Sequence, residues 1–135
     1  MANALYDLGR ESFLKGEISW NTNNIKAVLG DTGLYTPNLV TDQFLSSIAA
    51  GARVATSANL TGKTTAAGVA DADDVTFTAV TGASIEAVVL YQDTGSPATS
   101  RLIGYIDTAT GLPVTPSGGD ITVVWDSGAN RIFKL

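Results

Sequence analysis

The sequence predicts a mainly β protein, an antiparallel β-sandwich or jelly-roll-like barrel of about eight strands with a short N-terminal helix. Three observations predict it. Short runs rich in Val, Ile, Thr and aromatic residues recur along most of the chain. Turn-forming clusters separate them, at Asp31-Thr32-Gly33, Asp93-Thr94-Gly95, Gly111-Leu112-Pro113, Ser117-Gly118-Gly119 and Asp126-Ser127-Gly128. An extended 3.6-residue apolar period occurs only near the start.

The helix is expected over residues 3–15. Leu5, Leu8 and Phe13 share a face, Asn3 can cap the start and Gly16 can stop it, while Gly9 weakens it. Strands are expected at residues 25–29, 53–58, 60–65, 75–80, 85–91, 102–106, 121–125 and 131–135. A second helical turn fits residues 42–48, capped by Thr41, with Phe44, Leu45 and Ile48 on one side. Residues 66–74 and 92–100 read as loops. The clearest hairpin is the last, residues 121–125 returning as 131–135, with the final strand docked and not a free tail. No repeat or linker divides the chain, so residues 1–135 are expected to form a single β-rich domain.

Charge and reactive groups narrow the function. The chain has 13 acidic and eight basic residues, and neither His nor Cys. Imidazole bases, Ser-His-Asp triads, thiolate chemistry and the usual zinc sites are therefore excluded. Scattered basic residues on a net-acidic chain argue against nucleic-acid and anionic-membrane partners. No apolar run reaches a membrane span, and no positive start precedes an apolar block, so neither a transmembrane segment nor a signal peptide is expected.

Four motifs invite chemistry. The two Asp-Thr-Gly tripeptides match the loops in which aspartic proteases pair carboxylates, but Gly30 and Gln92 stand where an apolar residue precedes the Asp, and turn formation accounts for both. Thr61-Gly62-Lys63-Thr64 lacks the earlier glycine and the following helix of a phosphate loop. Asp71, Asp73 and Asp74 could gather calcium, yet Val75 and Thr76 break the EF-hand pattern, and a solvated acidic loop competes. Asn59-Leu60-Thr61 matches a glycosylation acceptor, which matters only in a secretory setting. Trp20 and Trp125 read as core or interface packing residues, not as a sugar-stacking platform, and Glu86 as facing the polar side of its strand. No catalytic residue, metal or cofactor is expected.

The opening Met1-Ala2-Asn3-Ala4-Leu5-Tyr6-Asp7-Leu8-Gly9-Arg10-Glu11-Ser12-Phe13-Leu14, Gly16 to Trp20, Ile25 to Leu29 and Tyr35-Thr36-Pro37-Asn38 resemble the start of a group of small tailed-bacteriophage structural proteins. The block Gly82 to Leu90, Gly111-Leu112-Pro113-Val114-Thr115 and Gly118 to Trp125 resemble the same group. The resemblance implies a virion component of the capsid decoration (cement) type. Such a protein, made in the host cytoplasm and placed on the capsid exterior, would bridge capsomers of the major capsid protein. It would also bind other virion proteins and assemble with itself, as a trimer in decoration proteins generally. A tail, neck or fibre component is the alternative, and an aspartic-type hydrolase a remote one.

Scarce charge points the same way, since part of the surface is then expected to lie under neighbours. Two segments are candidates for that interface: the helix, with Leu5, Tyr6, Leu8, Phe13 and Leu14, and the last strand, with Ile132, Phe133 and Leu135. The competing role for Leu5, Leu8 and Phe13 is to cover the open end of the sandwich.

Overall fold

A strand buried on both faces needs an unbroken apolar run, and residues 87–91 supply one at the centre of the fold. The computed structural model describes residues 3–129 and 131–135. These hold β1 (Ala4–Leu5), α1 (Asp7–Leu14), β2 (Ile25–Gly30), β3 (Arg53–Thr56), β4 (Thr64–Ala66), β5 (Val69–Asp71), β6 (Val75–Phe77), β7 (Ala87–Gln92), β8 (Arg101–Ile106), β9 (Ile121–Val123) and β10 (Phe133–Lys134). The main sheet has the order β1-β8-β7-β2-β3, and two smaller sheets the orders β10-β5-β4 and β6-β9. Every described pairing is antiparallel, giving a β-sandwich-like fold as the sequence predicts.

Alternation along the central strands sorts side chains into two cores. Val88 and Leu90 point to one face, with Ala27, Leu29 and Ile103, where Ala70 and Phe77 of the small sheets pack in the same cluster as Trp20 and Trp125 from connecting segments. Ala87, Val89 and Tyr91 point to the other, with Val28, Leu102 and Tyr105. There the covering residues come from segment 31–52, among them Tyr35, Leu45 and Ile48, and from Tyr6.

All four tyrosines lie in this second core and are buried. Tyr6 and Tyr35 share a hydrogen bond of 2.8 Å, and the Tyr35 hydroxyl donates to Asp42 Oδ2 at 2.8 Å. Burial raises the ionisation of Tyr6 and Tyr35 far above the ordinary range, and pushes Tyr91 and Tyr105 up to about 12. Because the folded values exceed the unfolded value of about 10, this contribution is complete below pH ~10 and is lost as pH rises through the folded values. The denaturation midpoint should therefore hold steady from pH 8 to ~10 and fall steeply beyond, with tyrosinate absorbance rising only as the chain unfolds. Normal tyrosine titration before unfolding would contradict this.

Several local expectations are corrected. The helix begins at Asp7, not Asn3. Asn3 caps no helix: its Oδ1 accepts from the amides of Asp107 and Thr108, and its Nδ2 donates to the Thr108 carbonyl. That anchor draws residues 4–5 into register with Tyr105 and Gly104, so tertiary pairing overrides helical periodicity. The buried face of α1 is Gly9 and Ser12, which lie against β8 beyond the end of β1. Gly16, at φ +74°, does end the helix, and its amide donates to the Phe13 carbonyl.

Residues 42–48 hold a 3-10 turn at Leu45–Ser47 in place of a longer helical turn. The amides of Leu45 and Ser46 are taken by the Ser100 and Pro97 carbonyls, leaving nothing to cap in Thr41's direction. Residues 66–74 are not simply a loop, since β5 runs through them with Ala70 and Ala72 fitted into the core.

The expected final hairpin does not form. β9 pairs with β6 and β10 with β5, both antiparallel. β9 and β10 therefore belong to different sheets, each paired with one of two strands that follow one another in the chain. Trp125 sits at the break, its amide donating to Asp74 Oδ1 and its indole to the Asp73 carbonyl. The last strand is nevertheless docked, as expected, with the Leu135 amide donating to Gly68.

The turn joining β4 to β5 uses Ala67 and Gly68, at φ +50° and +81°. A left-handed alanine is disfavoured, and asparagine tolerates the conformation in such two-residue turns. Ala67→Asn should stabilise by about 0.5–1 kcal/mol, read as a Tm rise of about 3 °C. An unchanged or lower Tm would show that the alanine is unstrained.

Candidate functional site

The first helix and the last strand meet. Because α1 spends its small-residue face on β8, Phe13 projects sideways onto β10, where its ring lies 6.0 Å from that of Phe133. Trp20, on the segment after the helix, also packs against Phe133, edge-on at 5.2 Å. Its indole N–H donates to the Asp71 carbonyl at 3.1 Å, which fixes it beneath β5.

Between these aromatics runs a groove of about 300 Å³, bounded by Phe13, Trp20, Ala70, Phe133 and Leu135, with Asn21 and Thr65 at its rim. Among the described residues, no acidic or basic side chain lines it. Leu14 is 85% exposed and Leu135 54% exposed, the two large apolar side chains that α1 and the final residue present to solvent. The charges nearby are neutralised locally, Lys15 with Glu11 at 2.6 Å and Arg10 with Asp7 at 3.2 Å. Pairs this exposed hold their charges at the surface without contributing much stability.

Of the residues expected at an interface, Phe13, Leu14, Ile132, Phe133 and Leu135 fall on or beside this region, and Leu8 is half-buried on α1. Leu5 and Tyr6 are corrected to interior positions. Leu5 packs into the core as part of β1, and Tyr6 is wholly enclosed, bonded to Tyr35. The groove wall that stands outside the two candidate segments is Trp20, which sequence alone marks as core or interface packing without placing it beside Phe133. Leu34, Val40 and Val124 are also strongly exposed and carried no periodic signal.

The acidic motifs resolve into structural roles. Asp31 and Asp93 each accept from the amide two residues on, Gly33 and Gly95, at 2.8 and 3.1 Å. Register places them at opposite ends of β2: Gly30 pairs with Ala87, and the Asp93 amide bonds to Asn24. Seven residues of extended chain separate them by about 20 Å, too far to share a proton as a protease dyad must. Asp93 also pairs with Lys26 at 3.0 Å.

Glu86 accepts from Ser84 Oγ and from the Thr32 amide and hydroxyl, and these bonds, the Ser84 one foremost, hold it below the usual carboxylate range. Asp73 accepts from Thr61, Asp74 from Trp125, and Asp71 lies 3.9 Å from Arg131. Among the described residues, no three potential metal-ligating side chains gather at one point. Lys63 donates to the Asn23 carbonyl and is followed by β4, not by a helix N-terminus.

No described helix is long and apolar enough to cross a membrane. Compared with known proteins, the chain matches no family model and no curated protein.

Proposed function

We propose that this chain is a non-enzymatic structural protein of a tailed-bacteriophage particle, decorating the capsid exterior and stabilising the shell by bridging capsomers. The observation that carries the reading is the aromatic groove without acidic or basic side chains, bounded in part by half-exposed Leu135, together with exposed Leu14 next in sequence to its wall residue Phe13. Apolar surface of this kind is expected at contacts with neighbours. The sequence resemblance to small phage structural proteins supplies the kind of particle. Further copies of the chain, as a trimer, and the major capsid protein are the partners proposed.

No bond need be made or broken for such a role. A protein that binds only the assembled lattice stabilises it by mass action, and several weak contacts per oligomer multiply. Electron microscopy of purified particles tests the proposal. Density for this fold over the capsid surface, in hundreds of copies, is the expected result. A small ring of copies confined to tail or neck would replace decoration with the tail reading, and absence from the particle would overturn both.

A further inference from the structure

The last strand is held by elements other than the one it follows. β10 comes after β9 in the chain but lies in a different sheet. The Ile132 amide donates to the Ala70 carbonyl at 3.2 Å and the Leu135 amide to that of Gly68 at 2.9 Å. The Phe133 ring meets Phe13 and Trp20, and Arg131 lies 3.9 Å from Asp71. None of these partners belongs to β9.

The connection itself carries both slack and strain. Trp125 is tethered to Asp73 and Asp74, and Arg131 to Asp71. Asp71 and Asp73 are two residues apart, a span of at most ~7 Å, whereas the six steps from Trp125 to Arg131 reach about 20 Å when extended. The surplus is folded back, the Arg131 amide donating to the Gly128 carbonyl at 3.2 Å, with Arg131 at φ +47°. That left-handed conformation is disfavoured for a residue with a side chain. An extended connection would release it.

Short hinges under strain invite copies of a chain to exchange a terminal element. We propose that β10 is exchanged in this way: residues 131–135 of one copy dock on β5 of a second copy, against the Phe13 and Trp20 of that copy. The docking contacts themselves fix the occupant, because the site that holds Phe133 in one chain recurs unchanged in every other. Each of these contacts is kept on exchange while the hinge relaxes, so no new complementary surface is needed. Passed head to tail around a ring, the strand leaves no site unfilled, and a closed trimer is linked. This inference deepens the self-association proposed above and rests on it. It makes Phe133 and Leu135 of the aromatic groove the contribution of a neighbouring copy.

A chain without cysteine makes the test direct. Val69 and Lys134 are register partners across β5 and β10, a placement suited to a disulfide. Full-length protein carrying Val69→Cys and Lys134→Cys is sized by light scattering, oxidised, and run on a denaturing gel without reductant. Chains cross-linked to one another are the expected result. An oligomer whose disulfides stay within single chains rejects the exchange and leaves self-association standing. Monomers alone reject both, while microscopy of particles still decides the structural role.

Arg131→Gly tests the cause. Glycine adopts positive φ readily, and the Asp71 pair is lost equally from the closed and exchanged forms. The balance should move toward monomer by at least ~fivefold per exchanged strand. An unmoved balance, or one moved toward oligomer, would overturn the strained hinge as the reason for exchange.

Discussion

Replacing Gly9 with alanine should lower Tm by about 10 °C, corresponding to a loss of about 3 kcal/mol. In an ordinary exposed helix the same change stabilises, by roughly 0.5–1 kcal/mol. The opposite sign here follows from where α1 lies. A Cβ at residue 9 would stand 2.5 Å from the Leu102 carbonyl oxygen, 3.2 Å from that of Ile103 and 3.3 Å from the Ile103 Cα. All three are backbone atoms of β8, so no rotamer change relieves the contact. The helix must lift from β8, and Tyr6, whose amide bonds Ile103, must follow it. Ser12→Ala is the control on the same buried face. It keeps its Cβ and loses only a hydroxyl already bonded to the Leu8 carbonyl, a cost under about 1 kcal/mol. Thermal melts of the two variants decide the matter, and a Gly9→Ala protein as stable as wild type would mean that α1 is not seated on β8.

Gly9 also illustrates what a single sequence can express. Read along the chain, it only weakens a helix, because the strand it must approach is more than ninety residues away. Features set by local pattern were legible: the apolar run of β7, the Asp-Thr-Gly turns, the Gly16 stop and the mainly β class. Features set by distant partners were not. Asn3 has the chemistry of a helix cap, and nothing nearby reveals that Asp107 and Thr108 will claim its side chain. Residues 121–125 and 131–135 have hairpin character in isolation, yet β6 pairs with the first and β5 with the second.

The candidate surface divides in the same way. Leu14, Phe133 and Leu135 stand out as apolar residues near the two termini of the sequence. Leu5 and Tyr6 stand out equally, and only the β1–β8 register and the Tyr35 hydroxyl send them inward. Trp20 has no periodic neighbours, so its place as the wall behind Phe133 becomes visible only once β5 and β10 are paired.

Trp20→Ala should be the most damaging single truncation at this surface, with a loss of about 4 kcal/mol. The indole is buried, donates to the Asp71 carbonyl and packs edge-on against Phe133. Its removal leaves a cavity under β5, an acceptor without its donor and one face of Phe133 unsupported. β10 pairs with β5 over only two residues, so it has little else to hold it. Amide exchange at residues 132–135 should therefore accelerate more than in β7, and Tm should fall by more than about 10 °C. Trp20→Phe should keep much of the packing and lose the indole bond, a smaller cost of about 1–2 kcal/mol. If exchange at β10 matches wild type in the alanine variant, Trp20 is not what secures that strand. Leu14→Asp separates stability from assembly at the same surface. Its exposure predicts a stability change within about 0.5 kcal/mol, so any loss of self-association or particle binding would report on the apolar surface itself. Trp20→Ala, by loosening Phe133, should also disturb the groove that this ring bounds.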